Sequence, residues 1–79
     1  MIAQLTGTLV SKKKNKIVVD VGGVGYLLTV SLSTFSELPP ENSKVKIFTY
    51  QHVRENAIEL FGFSSEFEKE LFLLLLGVS

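Results

Sequence analysis

Gly22-Gly23, set between the β-branched run Ile17-Val18-Val19 and the alternating Val24, Tyr26, Leu28 and Val30, is the strongest constraint on how this chain folds. Adjacent glycines reach the backbone of a tight turn without steric cost, and a flanking period of two is that of strands with one buried face. The pair therefore predicts a hairpin. The pattern continues on both sides. Leu5, Gly7 and Leu9 alternate with Thr6, Thr8 and Val10, and Lys12-Lys13-Lys14-Asn15-Lys16 turns that run back into Ile17, so the first three strands read as a meander. Ser33 to Leu38 has room for one helical turn before Pro39-Pro40 stops it, because proline lacks the amide a continuing helix needs. Val45, Ile47 and Thr49 then alternate with Lys44, Lys46 and Phe48 in a fourth strand. Ala57 to Gly62 gives a fifth, with Ile58 and Leu60 opposite Glu59 and Phe61.

Ser65 followed by Glu68 has the spacing of a capping box, in which a hydroxyl and a carboxylate satisfy amides left over at a helix start. Phe67, Leu71, Leu74, Leu75 and Val78 share one stripe of the helix that follows, and this stripe is expected to pack on the strands, with Leu73 and Leu76 outside it. An apolar surplus on a terminal helix points to a further neighbour, since an exposed Leu forgoes roughly 1.5–3 kcal/mol of burial. The elements together predict a mainly β fold: a five-stranded, partly open Greek-key barrel with a C-terminal α-helix. Strand count alone leaves OB and SH3-like barrels both open.

Length and composition narrow the function. A chain of 79 residues suits one small domain. The absence of Cys excludes a disulfide framework, a thiolate zinc site and a thiol nucleophile, and fits a reducing compartment. The start Met-Ile-Ala-Gln-Leu-Thr has no basic region before an apolar one, so no signal peptide is expected. The longest apolar run, Leu71 to Leu76, falls far short of the roughly 20 residues a membrane span needs, so a soluble domain is expected. Eight basic residues balance eight acidic ones, a poor composition for gripping duplex DNA through many phosphates.

Candidate chemistry is sparse. Gly22-Gly23-Val24-Gly25 superficially looks like a phosphate-binding loop, but such loops end at a helix N-terminus and here a strand follows. His52 is the single histidine and has no carboxylates at ligand spacing, and no local motif announces a triad, so no metal, cofactor or enzymatic activity is expected. Lys12, Lys13, Lys14 and Lys16 are four of the eight basic residues, placed either to touch DNA phosphates or simply to keep a turn solvated. Tyr26, Phe48 and Tyr50 suit either a base-stacking platform or core packing. Arg54-Glu55-Asn56 lies between two strands as an exposed, charged tip.

Val21-Gly22-Gly23-Val24-Gly25-Tyr26, Arg54-Glu55, Leu60-Phe61-Gly62-Phe63, Glu70-Leu71-Phe72 and the closing Gly77-Val78-Ser79 occur in the order and separations of one family. Over essentially its whole length the chain resembles the N-terminal domain of RuvA, the DNA-binding subunit of the Holliday junction branch-migration complex. The resemblance implies an OB fold over 1–63, and 64–79 as a helix leading into a helix-hairpin-helix domain that supplies the main DNA grip. It implies a cytoplasmic, non-catalytic homotetramer, acting in recombination, DNA repair and the SOS response. Such a tetramer holds four-way junctions open while the RuvB motor ATPase drives branch migration, with RuvC resolvase as a further partner. It also implies an acidic pin of two adjacent acids at the junction centre: Glu55 matches the first, and Asn56 departs from the second. Asn keeps hydrogen-bonding capacity but lacks the unit charge, and Arg54 offsets Glu55 unless it turns away or pairs elsewhere. Read from the residues themselves, Arg54 and the four lysines are candidate contacts to the DNA backbone, with a solvated turn the other reading of the lysines. The alternative is a generic single-strand-binding OB module using the lysine hairpin with Phe48 and Tyr50, followed by a protein-interaction barrel.

Overall fold

The alternating segments become five strands: β1 (Gln4–Lys13), β2 (Lys16–Val21), β3 (Val24–Val30), β4 (Lys44–Arg54) and β5 (Ala57–Phe63). Helix α1 (Leu32–Glu37) connects β3 to β4, and α2 (Glu66–Leu76) follows β5. The computed structural model describes residues 1–77. The strands close into a barrel in the order β1-β2-β3-β5-β4, antiparallel except where β3 meets β5. That parallel seam holds only the pairs Thr29↔Phe61 and Val30↔Gly62, so the barrel is thinnest there.

Local chemistry explains the turns. Gly22 and Gly23 adopt φ values of 60° and 94°, and the Gly23 amide donates to the Asp20 carboxylate at 2.8 Å. The lysine turn is tighter than expected: strands run through Lys13 and from Lys16, leaving Lys14 (φ 55°) and Asn15 at the bend. β1 pairs with β4 through Gln4–Thr8 and with β2 through Thr8–Lys13, changing register between Leu9 and Ser11 at a bulge. Gly7 permits this crossing, because a Cβ there would stand 2.2 Å from the Asp20 carbonyl oxygen.

Leu5, Leu9, Ile17, Val19, Leu28, Val30, Val45 and Ile47 fill the barrel, and Leu38 joins them from the end of α1. Thr49 is fully buried and its hydroxyl donates to the Ile2 carbonyl at 2.6 Å. No buried side-chain polar atom among the described residues lacks a partner, as the cost of burying an unpaired one requires.

Helix α2 sits differently from its sequence reading. Ser65 caps it, accepting from the Glu68 amide at 3.1 Å. The Glu68 carboxylate does not complete the box; it accepts from Ser31 Oγ at 2.8 Å and from the Thr34 hydroxyl, tying α2 to the start of α1. This bond fixes the helix's rotation, and the stripe expected to pack faces outward: Phe67, Leu74 and Leu75 are 76%, 73% and 81% exposed, and Leu71 is exposed too. Phe72 packs in their place, its ring 5.1 Å from Phe61, 5.2 Å from Phe63 and 6.3 Å from Tyr50. Leu73, expected to be exposed, is half-buried, whereas Leu76 is exposed as expected. An aromatic patch on the outer face of β4 and β5 takes a large ring better than an aliphatic row. Val78, assigned to the stripe, lies outside the described residues, as does Ser79 of the closing motif. No helix among the described residues is long and apolar enough to cross a membrane.

Candidate functional site

β4 and β5 pair without a break from Phe48↔Phe63 to Arg54↔Ala57. Because β3 meets β5 only at Phe61 and Gly62, β5 has β4 as its one sheet neighbour from Ala57 to Leu60. The hairpin therefore projects past the barrel wall, and Val53 and Ile58, paired near its end, are 66% and 65% exposed although they continue the apolar face. Glu55 and Asn56 form a two-residue tip, both exposed.

Arg54 turns back from that tip. Its Nη2 lies 2.9 Å from Glu59 Oε1, the one ion pair among the described residues. The other carboxylate oxygen, Oε2, accepts from Thr29 Oγ1 at 3.3 Å, and Thr29 Oγ1 accepts from Lys16 Nζ at 2.7 Å. Each hydroxyl and carboxylate thus has a consistent donor and acceptor, and four side chains form a row across β2, β3, β5 and β4. The row borders a groove of about 400 Å³, where β3 and β5 diverge, that Leu27 and Ile58 also line. With Arg54 occupied by Glu59, the tip keeps the negative charge of Glu55. A solvent-exposed pair of this kind adds about 0–1 kcal/mol of stability, so its consequence is the placement of charge.

The four lysines are not held alike: Lys13 and Lys16 are cross-strand partners beside the Lys14 bend, whereas Lys12 is drawn onto α1 and its C-cap. Lys12 Nζ donates to the Leu38 carbonyl at 3.2 Å and lies 5.0 Å from the Phe35 ring centroid, and Lys16 is held by Thr29. Lys13 and Lys14 are exposed and join no ion pair among the described residues. The three aromatics are likewise divided. Tyr50 lies between His52 at 6.1 Å and Phe72 at 6.3 Å, Phe48 lies beneath Lys46 at 5.2 Å, and Tyr26 packs against the core. His52 is half-buried opposite Glu59, and no group of three potential metal ligands occurs among the described residues. The glycine motif turns one strand into another, without a helix N-terminus. Glu59 and Thr29 escaped the sequence reading: alternation gives Glu59 an outward face, but its cross-strand partners depend on how β3, β4 and β5 meet.

A small closed Greek-key barrel with a capping turn between its third and fourth strands and a long charged hairpin defines an OB-type domain that presents charge from a loop. Its family follows from sequence comparison: the family model described as RuvA N terminal domain matches residues 1–62, and the chain belongs to that family. Among curated relatives, the Holliday junction branch migration complex subunit RuvA of Geobacter metallireducens is 49% identical over 79 residues, all of this chain and 40% of that protein. The subunit of the same description from Syntrophotalea carbinolica is 52% identical over 79 residues, again all of this chain and 40% of the relative. That from Chlorobaculum tepidum is 50% identical over 78 residues, 99% of the chain and 39% of the relative. The chain thus spans about 40% of the length of the relatives it matches.

Proposed function

We propose that this domain is the junction-facing part of a subunit that binds Holliday junctions and holds them open for branch migration in recombination and DNA repair. The observation that carries this is the projecting β4–β5 hairpin, with Glu55 at its tip and Arg54 drawn back onto Glu59, in a member of the RuvA N-terminal family. In a homotetramer, four such tips would meet near the crossover, where phosphates lie within the Debye length of roughly 8–10 Å. Glu55 repels those phosphates and disfavours re-closure of the exchanging strands. Asn56 contributes hydrogen-bonding groups without charge. Lys13 and Lys14 are the best-placed contacts to the DNA backbone, since Lys12, Lys16 and Arg54 are already engaged within the domain.

The subunit acts by binding and shaping DNA, and the force comes from a partner ATPase, RuvB, with RuvC resolvase acting on the same junction in the cytoplasm. In this scheme residues 1–63 are the barrel and 64–79 lead into the domain that grips duplex arms. That division reconciles a neutral chain with a DNA-binding role. The outward stripe of Phe67, Leu71, Leu74 and Leu75 is then the surface on which that next domain packs.

The direct test is a titration of labelled four-way junction, matched duplex and single strand with the full-length parent at one fixed salt concentration. A junction preference of tenfold or more is expected. Equal binding to junction and duplex, or a preference for single strands, would overturn the proposal.

A further inference from the structure

We infer that Glu59 is a positioning residue that sets the charge of the hairpin tip, by holding Arg54 against the flank of the hairpin and away from both Glu55 and DNA. This rests on reading the hairpin as junction-facing. Arg54 closes the last pair of the ladder and is the covalent neighbour of Glu55. A guanidinium there, on its long side chain, would otherwise turn to Glu55 or to the first phosphate it met. With Asn56 beside it, Glu55 is the tip's single carboxylate, so one uncommitted cation would cancel the charge altogether.

Glu59 prevents that by geometry. It sits on the outer face of β5, with Oε1 2.9 Å from the guanidinium. Its other oxygen receives the Thr29 hydroxyl, whose proton is directed there because Lys16 Nζ already donates to the Thr29 oxygen at 2.7 Å. The carboxylate is thus anchored from two strands, and its side chain is only 30% exposed against 58% for Arg54. Removing it leaves Lys16 and Thr29 in place and sets one cation loose beside the tip.

The test uses the full-length parent, measuring junction affinity as a function of salt and branch migration with the motor partner. Glu59→Gln keeps the side-chain volume at this half-buried position, and an unchanged melting temperature would confirm folding. Its junction affinity should rise several-fold at low salt. The slope of log affinity against log salt should steepen by about 0.9 for each Arg54 that gains a phosphate, while branch migration slows. Arg54→Gln alone should leave the slope unchanged, and Glu59→Gln combined with Arg54→Gln should restore it. An unchanged slope in Glu59→Gln, or a shallower one in Arg54→Gln, overturns the role of Glu59 while the parent's junction preference stands. Loss of that preference in the unmodified parent overturns both readings.

Discussion

Asn56 and Gly7 show how single residues act here through charge and through space. Asn56→Asp would place a second carboxylate on the tip, and at low salt the parent's junction affinity should fall several-fold. The gap should close as salt shortens the Debye length from roughly 30 Å at 0.01 M to about 3 Å at 1 M, because exposed charges are screened. A difference that persisted at high salt would mean that the amide makes a direct contact, contrary to the electrostatic account. Gly7→Ala is a different experiment, since the new Cβ would meet the Asp20 carbonyl at 2.2 Å and force β1 and β2 apart. A loss of about 1–3 kcal/mol is expected in urea denaturation. The tip was legible in the sequence because consecutive polar residues between two alternating strands favour an exposed turn. Gly7 looked like one more member of an alternating run, because the atom that excludes a side chain belongs to another strand.

At the scale of the element, α2 carries two apolar faces and the barrel chooses between them. Its existence and start were legible from Ser65, whose hydroxyl caps the helix locally by accepting from the Glu68 amide, whereas the Glu68 side chain acts at a distance. Its rotation was not, because the deciding groups are Ser31, Thr34, Phe61 and Phe63, distant in sequence and brought together by barrel closure. Phe72→Ala should therefore destabilise this domain by about 2 kcal/mol, somewhat below the 3–5 typical of a fully buried ring. Phe67→Ala, on the outward face, should fall within about 0.5 kcal/mol in the domain itself. The reverse order in thermal denaturation would restore the rotation read from the sequence. Glu68→Ala should cost about 1–3 kcal/mol, since the hydroxyl proton of Thr34, a fully buried residue, loses its acceptor while the oxygen keeps only the Ser64 amide.

For the molecule as a whole, strand periodicity and turn chemistry are local properties and made the barrel readable, whereas strand order rests on pairings between distant segments. The consequence with functional weight is the short seam between β3 and β5. Its two residue pairs close the barrel, and beyond them, from Tyr50 to Arg54 and from Ala57 to Leu60, β4 and β5 have only each other as sheet neighbours. Amides on β2 near Ile17 and Val19, within the fully buried core, should exchange hydrogen only through global unfolding. Those of the hairpin end around Arg54 and Ala57 should exchange much faster through local opening, because few buried contacts hold them. Uniform protection along β4 and β5 would show instead a hairpin as rigid as the barrel. A graded profile fits the proposed role: the tip can yield as strands pass it while the core that sets its position stays closed, so displacement at the crossover need not be transmitted to the rest of the subunit.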